Sequence, residues 1–260
     1  MPRLFHLPVS CPSRAGISDR ECPHHSILFR SFGAMDDLQP FLDLGTTLTR
    51  SVDELRQRLA GIRAVLFDWD GVFNDGWKDV DGGSPFSEVG SMGVNMLRFG
   101  LWLESAEGLP FAGVITGQHN KHTERFAQRE KFHGLYMGFI HKPEAFEAFL
   151  KQHGLKPEQV AFFFDDAIDL AVADRCGLRI LMRHRAGLAF AQHAQARGCV
   201  DIATALSGGE NGLREATDVL LVLMQRFHTV IEHRAAYSDT YQRYLAARNG
   251  TVPQVVAAPR

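Results

Sequence analysis

The chain alternates short apolar runs with longer stretches in which apolar residues recur at helical spacing. The runs are Ala64 to Phe67, Phe111 to Ile115, Leu135 to Ile140, Val160 to Phe164, Leu178 to Met182 and Val200 to Ala203. Brief runs rich in β-branched and aromatic side chains predict strands buried on both faces. Between them, Val94, Leu97 and Leu101 line one helical face, with Glu104 a turn further on. Phe126 marks the inner face of His119 to Lys131, Phe146, Phe149 and Leu150 follow Pro143, and Ala186 to Ala196 is rich in alanine. Strands alternating with helices predict an α/β fold, an open, doubly wound, Rossmann-like parallel sheet flanked by helices.

This core spans residues 62–212. Before it, residues 35–61 form an N-terminal helical segment, in which Ser51-Val52-Asp53-Glu54 is a capping box leading into Leu55 and Leu59, and Gly61 ends the helix. After it, residues 213–248 read as one long helix or two in tandem, with Leu220, Leu223, Phe227 and Ile231 on one face, then Tyr237, Tyr241 and Tyr244. A stripe of this kind is a packing surface, against the core or another subunit. Residues 249–260, with Pro253 and Pro259, are expected to fray as a flexible tail.

Residues 1–34 carry Pro2, Pro8, Pro12 and Pro23 without periodicity, which predicts disorder. A non-native extension upstream of Met35 and an acid-poor organellar targeting segment both fit this composition. Cys22, His24 and His25, with Cys11 nearby, match no closed zinc pattern.

Residues 74–88 hold Gly76, Gly82, Gly83 and Pro85, with Trp77 and Phe86 towards the ends. They predict a short β-hairpin flap, too small to be a separate cap domain.

Composition narrows the function classes. A chain of 260 residues, 45% of them hydrophobic, can bury a full core. Its net charge of -2 gives no long-range attraction to nucleic acid or anionic membrane, and no apolar run approaches the roughly 20 residues of a membrane-spanning helix. Four cysteines are too few for a disulfide framework. Cys176 and Cys199, in apolar segments, are expected to be reduced, and the cytoplasm is the expected location.

The candidate chemistry lies at the strand ends. Asp68 and Asp70 follow the first apolar run, and residues two apart in an extended segment share a face. Paired carboxylates repel each other and call for a cation. Thr116-Gly117 follows the second strand, Lys142 lies just beyond the Leu135 to Ile140 run, and Asp165-Asp166, with Asp169, follows Val160 to Phe164. In an open α/β sheet the ligand crevice lies outside the carboxyl ends of the strands, so groups distant in sequence converge there.

This ordered set resembles the haloacid dehalogenase superfamily of phosphohydrolases over about Ile62 to Gln225. Asp70-Gly71-Val72-Phe73-Asn74-Asp75-Gly76, the flap, Ile115-Thr116-Gly117, Lys142-Pro143-Glu144, Asp165-Asp166-Ala167-Ile168-Asp169 and Gly208-Gly209 narrow it. Together they are similar to the branch containing 3-deoxy-D-manno-octulosonate 8-phosphate phosphatase and related acyl-sugar phosphatases. The resemblance implies a Mg²⁺-dependent phosphomonoesterase acting on a small phosphorylated metabolite, such as a sugar-acid phosphate, and a homotetramer in which the flap or C-terminus of one subunit closes a neighbour's site. It makes Asp68 the nucleophile that becomes a phosphoaspartate and Asp70 the general acid and base. Asp68, the main-chain carbonyl of Asp70, and Asp165 become the metal ligands, and Thr116, Gly117 and Lys142 bind the phosphoryl group. Asp166 and Asp169 become supporting residues around the metal or helix caps.

Three positions depart from the pattern. Phe164 stands where relatives usually have Gly before the acidic pair, and a ring there could crowd the backbone beside the metal. Phe86 to Gly93 lacks the relatives' Arg-Asp pair, with Val89 and Gly90 in that region. Glu210, followed by Asn211, stands where they carry Arg. Acid in place of Arg disfavours the same acidic sugar. A scaffold or regulatory subunit without useful turnover, and a phosphotransferase passing the phosphoryl group to an acceptor other than water, are the competing readings. His119, His122 and His141 read as surface histidines rather than ligands, with His141 close enough to Lys142 to touch substrate.

Overall fold

The computed structural model describes residues 34–258. The readings made for residues 1–33, including the Cys22, His24 and His25 cluster, lie outside the described residues. In chain order the elements are α1 (Ala34–Leu44), β1 (Thr47–Leu48), α2 (Val52–Gly61), β2 (Ala64–Phe67), α3 (Glu88–Glu104), β3 (Phe111–Thr116), α4 (Lys121–Glu130), β4 (Gly134–Met137) and α5 (Lys142–His153). They continue with β5 (Val160–Phe164), α6 (Leu170–Ala173), β6 (Leu178–Leu181), α7 (Leu188–Ala196), β7 (Ile202–Ala203), α8 (Gly212–Leu223), α9 (Phe227–Ala235), α10 (Asp239–Asn249) and β8 (Gln254–Ala257).

The sheet has eight strands in the order β1-β7-β6-β5-β2-β3-β4-β8. Every pairing is parallel except that of β1 with β7. The expected doubly wound α/β architecture is therefore present, and β2 lies in mid-sheet between β3 and β5. Alternation along β2 shows why its run is wholly apolar. Val65 and Phe67 enter a core shared with α2, α3, α4 and α8. Ala64 and Leu66 face the opposite core, built from α5, α6 and α7. A strand covered on both faces has no polar side to display.

The capping box at Ser51 is formed, with Glu54 bonding back to the Ser51 backbone at 3.0 Å. Cys176 and Cys199 are free and buried, as expected.

Three expectations change. Residues 74–88 carry no strand, so the flap is not a hairpin ladder. It is a loop turned by Asp79, whose N–H donates to Gly83 O at 2.7 Å and whose carbonyl accepts from Gly82 at 3.0 Å. Its base is closed by Asn74 Nδ2 donating to Pro85 O at 2.9 Å. The segment 213–248 holds α8, α9 and α10 rather than one helix or two, because Gln225 and Tyr237 adopt left-handed backbone conformations (φ 58° and 47°). Ser238 then caps α10. The tail is not frayed throughout, since Gln254–Ala257 pairs in register with Gly134–Met137 and extends the sheet.

Candidate active site

Four strand ends converge on a cavity of about 490 Å³, lined by Asp68, Asp70, Thr116, Gly117, Lys142, Asp165 and Asp166 among others. Each is delivered by the backbone that precedes it. The N–H of Asp68 donates to Phe163 O at 2.9 Å, continuing the β2–β5 ladder one residue past the strand, so the carboxylate emerges at its tip. Gly71 turns the chain away at φ 86°, and a Cβ there would stand 1.9 Å from Asp165 Oδ2. The turn therefore needs glycine to pass the acidic pair. Gly209 meets the same demand from the other side, as its Cβ would collide with the Asp75 carboxylate at 1.8 Å.

Lys142 is the centre of the charge arrangement. Its buried Nζ donates to Asp68 Oδ1 and to Asp169 Oδ1, each at 2.6 Å. Burial alone favours the neutral amine, but the two carboxylates raise the ammonium's pKa above its ordinary value. Burial pushes Asp68 well up; Lys142 opposes this, while Asp169 and Asp165 add to it. Burial likewise pushes Asp169 up to about 6, against the attraction of Lys142.

Asp169 is thus no mere helix cap. It forms a buried ion pair and stands beside Asp68 and Asp165, with one carboxylate oxygen from each lying within 4.8 Å of the others. Asp169 Oδ2 is buried without a hydrogen-bond partner. A cluster of acidic oxygens with an acceptor left over fits a hard divalent cation. Asp166 takes the capping role, accepting from Ala167 N at 2.7 Å with its side chain exposed.

Asp70 is held apart from this cluster. Ser84 Oγ donates to its Oδ1, and Lys78 Nζ lies 2.5 Å from the same oxygen. Ser84 is fixed in turn by Asn120 Nδ2 at 3.1 Å, and its carbonyl accepts from Trp69 Nε1 at 3.1 Å. The loop therefore orients Asp70 through side chains rather than through strand pairing. Thr116 is buried, and its hydroxyl oxygen accepts from Gln118 N at 3.3 Å, leaving its proton free to donate.

Lys78, Ser84, Asn120 and His184 were not singled out by sequence. His184 Nε2 lies 3.2 Å from Asp165 Oδ2, close enough for a charge contact, though without the alignment of a hydrogen bond. The Asp165 carboxylate raises its pKa, against the effect of burial. His184 follows the end of β6, so the strand-tip rule that selects Thr116 and Asp165 also reaches it. No such signal marked Lys78 or Ser84, because a polar residue in a glycine-rich loop is ordinarily solvated. His119, His122 and His141 stand outside the acidic cluster, and His122 pairs with Asp79 at 3.1 Å.

Phe164 does not crowd the site. Its ring is buried in the core beneath α5, α6 and α7 and stacks on Phe162, with centroids 5.8 Å apart. Glu210 is occupied locally, accepting from Ser207 N at 3.1 Å and lying 3.5 Å from Arg185.

No family model matches the chain. It is 28% identical over 174 residues to 3-deoxy-D-manno-octulosonate 8-phosphate phosphatase from Yersinia pestis, spanning 67% of this chain and 87% of that protein. The crystal structure of the Yersinia pestis enzyme superposes with a TM-score of 0.54 at 27% identity, covering 68% of this chain and 89% of the other. The cobalt-bound form of the corresponding Haemophilus influenzae phosphatase superposes with a TM-score of 0.54 at 25% identity, covering 73% and 99%. This likeness in fold and sequence stands beside the ordered carboxylates, Thr116 and Lys142 that line the cavity. The chain is a phosphatase that resembles the haloacid dehalogenase type. The sequence motifs of this phosphatase lie before α9, α10 and β8.

Proposed function

We propose that this phosphatase hydrolyses a small phosphorylated sugar or sugar acid, of the type of 3-deoxy-D-manno-octulosonate 8-phosphate, through a phosphoaspartate on Asp68. The observation that carries the reading is the buried Lys142 bridge, which holds Asp68 Oδ1 at 2.6 Å on the wall of the cavity. Asp68 Oδ2 attacks phosphorus, the bond to the sugar oxygen breaks, and Asp70 gives that oxygen its proton. Asp70 then takes a proton from the water that attacks the phosphoaspartate, which releases phosphate and restores both acids. Lys142 and the Thr116 hydroxyl, with the Gly117 backbone, stabilise the negative charge on the equatorial oxygens.

A divalent ion, Mg²⁺ in this reading, would be held by Asp68, Asp165 and the main-chain carbonyl of Asp70, with Asp169 beside them. Bound there, it neutralises phosphate charge and keeps Asp68 ionised. The apolar rim of the cavity supports a homo-oligomer. Ile140 is 84% exposed and Trp77, on the loop, 81%, and in the proposed homotetramer a neighbouring subunit covers them. No described helix is long and apolar enough to cross a membrane, and a cytoplasmic location is part of the proposal.

The test is a panel of phosphorylated sugars and sugar acids assayed with Mg²⁺, beside Asp68→Asn. Turnover of at least one substrate by the parent chain, abolished in the variant without loss of fold, is the expected result. Full Mg²⁺-dependent turnover by Asp68→Asn would falsify the mechanism.

A further inference from the structure

A second cavity, of about 350 Å³, lies between α3, the end of α4 and the C-terminal helices α9 and α10. It shares no lining residue with the active site. Its charges are unevenly matched. Glu130 is used twice, by Arg129 at 2.9 Å and by Arg248 at 3.1 Å, and Glu88 pairs with Arg129 as well. Among the described residues no carboxylate pairs with Arg234, whose guanidinium lies over the Tyr241 ring, 4.8 Å from its centroid. Three guanidinium groups thus face two carboxylates, both already engaged.

The hydrogen-bond inventory points the same way. Arg234 Nε and Arg248 Nε are both buried without a partner among the described residues. Asn95, only 6% exposed, accepts from the Tyr241 hydroxyl at 3.0 Å through Oδ1, and among the described residues no acceptor meets its amide NH₂. A buried donor left unpaired is destabilising. Two such donors belong to arginines that line one cavity, to which Asn95 adds an amide, and an acceptor bound there would relieve them. Donor-bearing residues on three separate elements, α3, α9 and α10, line a space too large for one carboxylate. That geometry suits a tetrahedral oxyanion better than a flat one.

We infer that this cavity is a binding site for a phosphate-type oxyanion, inorganic phosphate or the phosphoryl group of a small metabolite, held by Arg234, Arg248 and Asn95. The site has a route to the catalytic loop. Arg129 on its wall also lies over the Phe86 ring, 4.8 Å from its centroid, and Phe86 packs edge-on against Trp69, which anchors Ser84.

The test uses the full chain and inorganic phosphate, in chelator, with binding followed by calorimetry and by hydrogen exchange. Phosphate should slow amide exchange in residues 227–249 of the parent protein, separately from any effect near Thr116 and Lys142. Arg234→Gln should weaken that binding by about tenfold or more, the loss of one charge-assisted contact. In the same variant, competition by phosphate against substrate at the active site should persist. Protection confined to the active-site segments in the parent chain would overturn the inference. So would unchanged phosphate affinity in a folded Arg234→Gln protein. The exchange measurement needs no variant, so it decides the matter even if the substitution unfolds the helices.

Discussion

Lys142 Nζ lies 2.6 Å from Asp169 Oδ1, and both side chains are fully buried. Removing one partner of a buried pair leaves the other charged and unsolvated, which typically costs about 3–5 kcal/mol. Asp169→Ala is therefore expected to lower the unfolding free energy by about 3 kcal/mol. It should also reduce kcat, because Lys142 loses one of the two carboxylates that aim it at Asp68. Denaturant unfolding with Mg²⁺ present checks the first effect. Unchanged stability and turnover would mean that Asp169 supports nothing.

The clamp on Asp70 makes a separable prediction. Ser84→Ala removes the hydroxyl that donates to Asp70 Oδ1 and frees Asn120, but it leaves the carboxylate in place. Positioned proton transfer contributes about 10²–10⁴-fold to rate, so losing part of the alignment should cut kcat by about tenfold with little change in KM. A drop in melting temperature with kcat intact would assign Ser84 a purely structural role.

The catalytic strand tips were legible because hydrophobic run length and strand-end chemistry are local. Ala64 to Phe67 is apolar at every position only because cores lie on both faces, and the acids appear where the chain leaves them. Asp169 was harder to read. In sequence it is one acid on a helical turn, and its partner Lys142 is 27 residues away. Lys78 and Ser84 were invisible for the same reason, since their role exists only once the loop folds back on Asp70. The breaks at Gln225 and Tyr237 carry neither Gly nor Pro, so nothing local announced that the C-terminal segment divides into separate helices. Strand β8 was hidden by its proline-containing surroundings and by pairing with residues more than a hundred positions earlier. Phe164 was read correctly as a departure but wrongly as an obstruction, because its alternation into the core depends on the β5 register.

Acid sensitivity should have a source remote from catalysis. His133 Nδ1 accepts from Ala112 N at 3.1 Å, which requires that nitrogen to be unprotonated. Burial lowers its pKa to about 3, aided by Arg98 and His153. The native state therefore binds fewer protons than the unfolded chain between pH about 6.5 and about 3. Stability from this group is complete above the upper limit and is lost as pH falls through the window. His133→Asn keeps an acceptor and removes the titration. Its melting temperature should decline less than the parent's between neutral pH and about pH 4. Parallel declines would show that His133 contributes nothing to acid unfolding.

The C-terminal strand offers a contrast between its two faces. Val256 is partly buried against the α5–α7 core, whereas Val255 is 51% exposed at the sheet edge. Residues one apart on a strand face opposite sides, so the same chemistry introduced at each should have unequal effects. Val256→Asp places a charge against apolar side chains and should destabilise the protein by about 2 kcal/mol or more. Val255→Lys should stay within about 0.5 kcal/mol, as surface substitutions usually do, and it places a charge on an open edge. Ending the chain at Val252 removes the strand and leaves β4 at the edge, with Gly134 to Met137 paired only to β3. Thermal unfolding should then rank the truncation and Val256→Asp well below Val255→Lys and the parent. If Val255→Lys proved as damaging as Val256→Asp, the register of β8 on β4 would be wrong by one residue.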